Sequence, residues 1–141
     1  MAIQLLVASF LVRITVVIHG LGLLGLSRWL RLEQEEERHH RLSNMSLRGI
    51  AFTLGVVFAL FFLHGVEIWL YALAHLLLGA LPDLEVAVYF STITYGTVGF
   101  DNDGFHPAWQ LVSAIEGING VLLMGWSTAF FVSMVGRVRI R

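Results

Sequence analysis

Ionisable side chains are scarce inside the apolar stretches of this chain, so the few that occur there carry information. His64, Glu67, Tyr71 and His75 fall at i, i+3, i+7 and i+11 of one such stretch, which sets them on a single helical face. Ionisable groups at membrane depth face protein or water and have partners. Glu67 is expected to pair with His64, or with Arg13 or His19 of an earlier stretch. A metal held by His64, Glu67 and His75 is not expected, because ligands spread over three turns cannot converge on one ion. Glu116 and Asn119 stand in another apolar stretch as further buried polar groups. A third set surrounds Gly96-Thr97-Val98-Gly99-Phe100, followed at once by Asp101 and then Asp103. No nucleophile, acid–base pair or phosphate loop appears, so neither an enzyme nor a cofactor is expected. The absence of cysteine excludes disulfides and thiolate chemistry.

The solvent for these groups follows from composition. Of the 141 residues, 57% are hydrophobic and only 13% are charged, against about 25% charged in soluble domains. A soluble fold of this size exposes too much of its surface to hide so much apolar area, so part of the solvent is lipid. The length allows one domain. A net charge of −1 argues against a nucleic-acid partner, which needs a basic face.

Three apolar stretches exceed the ~20 residues that cross ~30 Å of hydrocarbon: Ala2 to about Leu26, Gly49 to about Leu81, and Pro107 to Val135. Backbone groups in lipid must be satisfied within the segment, which predicts helices for all three. Alternating ten-residue segments, the mark of a membrane barrel, are absent. The first stretch lacks a leading basic residue and is too long for a signal-peptide core, so it reads as a retained helix. The chain divides into a first helix over 1–27, a charged connector over 28–48, a module over 49–136 and a basic tail over 137–141. Every basic residue except Arg13 lies in the connector or the tail. By the positive-inside rule both belong in the cytoplasm, which puts the N-terminus outside.

That orientation leaves Leu78 to Pro107 external, although half of it is apolar. Pro82 and Asp83 read as a helix start, with Asp83 as N-cap. The helix that follows, through Leu84 to Phe90, would hold about ten residues and could not cross. It is expected to dip into the membrane and return. Irregular backbone at that depth is tolerated only when buried in protein or lining an aqueous path, so the organisation itself hints at a pore.

The run Tyr89-Phe90-Ser91-Thr92-Ile93-Thr94-Tyr95-Gly96-Thr97-Val98-Gly99-Phe100 resembles the pore helix and selectivity filter of the potassium-channel superfamily, whose filter core is Thr-Val-Gly followed by Tyr or Phe. Ala114-Ile115-Glu116-Gly117 and Gly125-Trp126-Ser127-Thr128-Ala129 are similar to inner-helix sequences of small bacterial ion channels. The resemblance spans Gly49 to Val135 and leaves the first helix outside, packed at the periphery. It implies an all-α integral membrane protein of the bacterial cytoplasmic membrane, with three transmembrane helices plus a re-entrant pore helix and filter loop. It further implies a homotetramer embedded in lipid, with K⁺ held at Thr97, Val98, Gly99 and Phe100.

The residue types suit that chemistry. A cation leaving water needs replacement oxygens, which rings of backbone carbonyls supply. Pointing several carbonyls inward calls for an extended chain with its oxygens on one side. Gly99 permits the backbone angles this requires, and Val98 and Phe100 would turn outward behind the filter. Two departures stand beside the match. Gly96 occupies a position where the family often has Thr, and Asp101 one where it usually has Gly. Gly-Phe-Asp-Asn also resembles filter loops of Trk and Ktr transporter subunits. In a tetramer Asp101, with Asp103, would ring the outer mouth with carboxylates, a setting that attracts divalent cations. The alternatives are therefore a non-selective or sodium-permeable channel, and a non-conducting or transporter-like membrane subunit. On the third stretch Gly117 and Gly120 are expected at close helix contacts. Gly125 is a candidate hinge, and Thr128 and Phe131 are candidate lining residues, Phe131 as a hydrophobic constriction.

Overall fold

The computed structural model describes residues 1–37, 47–99 and 104–139, and the side chains of 1–29, 50–99 and 104–134. Its elements are α1 (Ala2–Glu37), α2 (Leu47–Leu77), α3 (Leu84–Tyr95), a 3-10 turn at Pro107–Trp109 and α4 (Gln110–Arg139). The fold is all-helical, with no strand among the described residues. Ala2–Trp29, Ile50–Leu77 and Pro107–Met134 are each 28 residues long and apolar enough to cross a membrane. At 1.5 Å per residue each reaches about 42 Å, whereas the 12 residues of α3 reach about 18 Å. Three helices span, and one does not.

α1 continues through 28–37, the first part of the predicted connector. That segment is rich in Arg, Leu, Glu and Gln, contains neither Gly nor Pro, and repeats opposite charges at helical spacing, as in Arg31 and Glu35. Charge makes it polar without making it irregular. Trp29 then stacks on Phe52, with ring centroids 5.7 Å apart, and joins the end of α1 to the start of α2.

α1 and α4 run parallel, tied along their lengths. Gln4 Oε1 accepts the Leu111 amide, Asn119 Nδ2 donates to Thr15 Oγ1 at 2.8 Å, and His19 meets Ser127 further down. α2 runs the opposite way against both, and α3 is held between α2 and α4. Within the protomer the first helix is therefore part of the core and not an addition to its edge. One apolar cluster joins Ala8 and Leu11 of α1 to Tyr71, Tyr95, Val112 and Leu123. A second packs Phe90 of α3 against Phe105, centroids 4.6 Å apart, beside Ala72, Leu81 and Ala87. A third, at the end where α1 meets the start of α2, gathers Leu23, Val56 and Leu60. Large apolar side chains such as Phe58, Phe61 and Phe62 face outward, as expected of helices whose surroundings are lipid or another subunit.

Candidate functional site

The site begins with the placement of α3. Asp83 caps its first turn as expected, its side chain accepting from the Val86 amide at 2.9 Å. The far end determines the loop. α3 ends at Tyr95, and beyond it the Thr97 amide donates to Thr94 O and the Val98 amide to Ile93 O. That pair of bonds is the Schellman pattern, which needs a left-handed residue at the second position past the helix. Gly96 is right-handed at φ −75°, so the left-handed position falls on Thr97, at φ 55°. α2 ends in the same way, with Gly79 at φ 65° in the equivalent place.

The chain at Thr97 is thus turned and not extended, contrary to expectation. The amides of Thr97, Val98 and Gly99 all point back to carbonyls of the last turn of α3. No peptide bond among the described residues is cis, and in a planar trans peptide the carbonyl points opposite to the following N–H. The carbonyls of Gly96, Thr97 and Val98 therefore all point away from α3. A left-handed residue has aligned three oxygens that an extended strand would present alternately. Thr97, Val98 and Gly99 are exposed in the protomer. Val98, expected to pack behind the loop, is 80% exposed in the single protomer. Phe100, Asp101 and Asp103 lie outside the described residues.

Behind α3 sits a closed ring of polar side chains. Glu67 of α2 accepts from His19 Nδ1 of α1 at 2.9 Å and from the Tyr95 hydroxyl of α3. His64 Nδ1 lies 3.0 Å from the same hydroxyl and 3.3 Å from Glu67 Oε2. The Nε2 atoms of His64 and His19 meet Ser127 Oγ of α4 at 3.0 and 3.2 Å. All four helices contribute. Glu67 thus pairs with both His64 and His19, while Arg13 is exposed and forms no ion pair among the described residues. The sequence reading missed Tyr95 and Ser127. A buried Tyr hydroxyl usually finds a polar partner, and that demand was the available signal.

A second carboxylate stands higher beside α3. Glu116 of α4 pairs with His75 of α2 at 2.7 Å, both side chains fully buried. Tyr71, the remaining member of the predicted polar face, receives Asn119 Nδ2 at 3.2 Å. All four residues of that face are therefore turned inward and partnered.

Two glycines of α4 stand at close helix contacts, as expected. A Cβ on Gly120 would lie 2.3 Å from Tyr95 O, and one on Gly117 would lie 3.4 Å from Thr94 O. Both admit the end of α3 against α4. Gly125 has open space about it. Thr128 is exposed, its hydroxyl bonded to Met124 O at 2.9 Å. Phe131 is half-buried against the Leu23, Val56 and Leu60 cluster of its own protomer, so only part of its ring is left to face a neighbour.

The family model described as "Ion channel" matches residues 55–137. Comparison with curated proteins and with solved structures gave no match. The matched span begins within α2, contains α3 and its loop, and ends in α4.

Proposed function

Because the chain belongs to the ion channel family of two-span, potassium-channel-like pores, we propose that it is a passive cation channel that conducts potassium through a homotetrameric, carbonyl-lined filter. The observation that carries this reading is the aligned turn Gly96–Gly99, exposed from Thr97 on, at the end of a non-spanning helix held between two spanning ones. One protomer offers a single file of oxygens, too few to replace a hydration shell. Four copies about an axis would make rings of them, with Thr97 hydroxyls at the inner end. The C-terminal end of α3 carries partial negative charge, which favours a cation nearby. The Glu67 ring would hold Tyr95, and so the turn two residues on, at fixed depth while ions pass. Membrane insertion follows from the three spanning helices. An external N-terminus and a cytoplasmic tail complete the proposed topology.

The test is the reversal potential of the purified protein in planar bilayers under opposed potassium and sodium gradients. A value near the potassium equilibrium potential is expected. A value near zero would assign a non-selective pore, consistent with Asp101 in place of Gly, and an absence of current would assign a non-conducting subunit.

A further inference from the structure

The ring behind α3 has the make-up of a metal centre. His19, His64 and Glu67 each offer one ligand atom, and these atoms lie within 4.8 Å of one another. We propose that His19, His64 and Glu67 bind one divalent transition-metal ion of the zinc class per protomer, with the Tyr95 hydroxyl as the nearest fourth group.

Four observations carry the proposal. The first is ring orientation. Both imidazoles turn Nδ1 toward the carboxylate and Nε2 toward Ser127 Oγ. Metal-bound histidines almost always donate their second ring N–H to an outer acceptor, which fixes the tautomer, and one hydroxyl serves both rings here. The second is spacing. Bond lengths of about 2.0–2.2 Å in a tetrahedral site put ligand atoms about 3.3–3.6 Å apart. His19 Nδ1 stands 2.9 Å from Glu67 Oε1 and His64 Nδ1 3.3 Å from Glu67 Oε2, and one ligand atom from each residue lies within 4.8 Å of the others, so small side-chain shifts would bring the three onto one ion. The third is donor type. Two imidazoles and a carboxylate suit zinc, cobalt or copper, whereas calcium takes six to eight oxygens and magnesium an octahedron of them. The fourth is access. Glu67 and His19 are fully buried, but the His64 side chain is 16% exposed, which leaves an approach from its side.

Ligands from α2 alone could not converge on one ion. His75 is indeed elsewhere, paired with Glu116, and the missing ligand comes from α1. A bound ion would join α1 to α2 and, through Tyr95, to the end of α3.

The test uses the full-length protein, stripped with chelator and held in detergent micelles. Titration with Co²⁺ should develop the intense visible bands of tetrahedral cobalt, saturating at one ion per protomer, and Zn²⁺ should abolish them. His64→Gln, at the partly exposed ligand, should weaken binding at least ~100-fold, while a variant with both His39 and His40 replaced by Ala should bind as the parent does. The parent protein's spectrum is decisive even if a ligand variant misfolds. Lack of a saturable signal, the pale spectrum of octahedral cobalt, undiminished binding by folded His64→Gln, or loss of binding with His39 and His40 would each overturn the site.

Discussion

Glu67 and Glu116 stand on the two spanning helices that flank α3, and both are fully buried, yet the protein holds them in different ways. Glu67 gathers His19, His64 and Tyr95, and through the histidines reaches Ser127. Glu116 has His75 as its one well-formed hydrogen bond, with the Ser91 hydroxyl beside it. A buried carboxylate is costly unless paired and hydrogen-bonded, so the two sites differ in how completely that cost is offset. The difference follows their positions. Glu67 lies behind the last residue of α3, where the loop must be fixed, and Glu116 lies beside the body of the helix, which Phe90 and Phe105 also secure. The end of α3 is thus held by polar bonds as well as by the apolar cluster around Tyr95.

Removing the richer centre should have the largest effect. Glu67→Ala leaves three polar groups on three helices without their common acceptor. A loss of about 3–5 kcal/mol is expected, the magnitude for breaking one side of a buried pair. It would be measured by denaturant unfolding in micelles, and a value no larger than that of Glu116→Ala would break the contrast between the two sites. Gly120→Ala should follow. Its new Cβ would meet backbone oxygen of Tyr95 at 2.3 Å, and backbone cannot rotate aside as a side chain would. Overpacking of this kind costs about 1–3 kcal/mol. Because it displaces the residue just before the turn, ion flux into liposomes should fall by more than the stability loss alone explains. Gly125→Ala, with open space about it, should leave stability nearly unchanged.

Glu116→Gln should cost less than Glu67→Gln, by about 1 kcal/mol, since one charge-assisted bond is at stake instead of several. Equal losses in the two variants would show that the number of partners does not set the strength of the hold.

The same contrast explains what was legible in the sequence. Spans and the short helix follow from apolar run length, and Asp83 from its position ahead of such a run. The inward face of α2 follows from helical spacing, and Gly117 and Gly120 from the value of small residues at close contacts. Pairings between helices are different in kind. His75 with Glu116, and Ser127 with both histidines, depend on which helices pack and at what register, and local pattern does not encode that. The left-handed position falls on Thr97 and not on Gly99 for a related reason. With glycines at 96 and 99, the eye assigns the unusual angles to one of them. The cap instead counts from the last residue of α3, and counting from Tyr95 lands on Thr97.

That displacement supplies the smallest and sharpest test. Thr97 and Gly79 fill equivalent positions in two caps with the same hydrogen bonds, but a β-branched residue at positive φ is a genuine outlier. The left-handed conformation costs a side-chain-bearing residue about 1–2 kcal/mol and glycine almost nothing. Thr97→Gly should therefore stabilise the protein by about 1 kcal/mol, and Gly79→Ala should destabilise it by a similar amount. Strain of this sort persists where surrounding structure over-determines it, and here the surroundings are the Glu67–Tyr95 bond and the seat at Gly120. If those contacts hold Thr97 for the sake of its hydroxyl and its fixed carbonyls, the relieved variant should pay in function: the potassium-to-sodium permeability ratio should fall although the fold is firmer. A Thr97→Gly protein more stable and equally selective would mean that the alignment of the carbonyls, which glycine can also adopt, suffices without the threonine side chain.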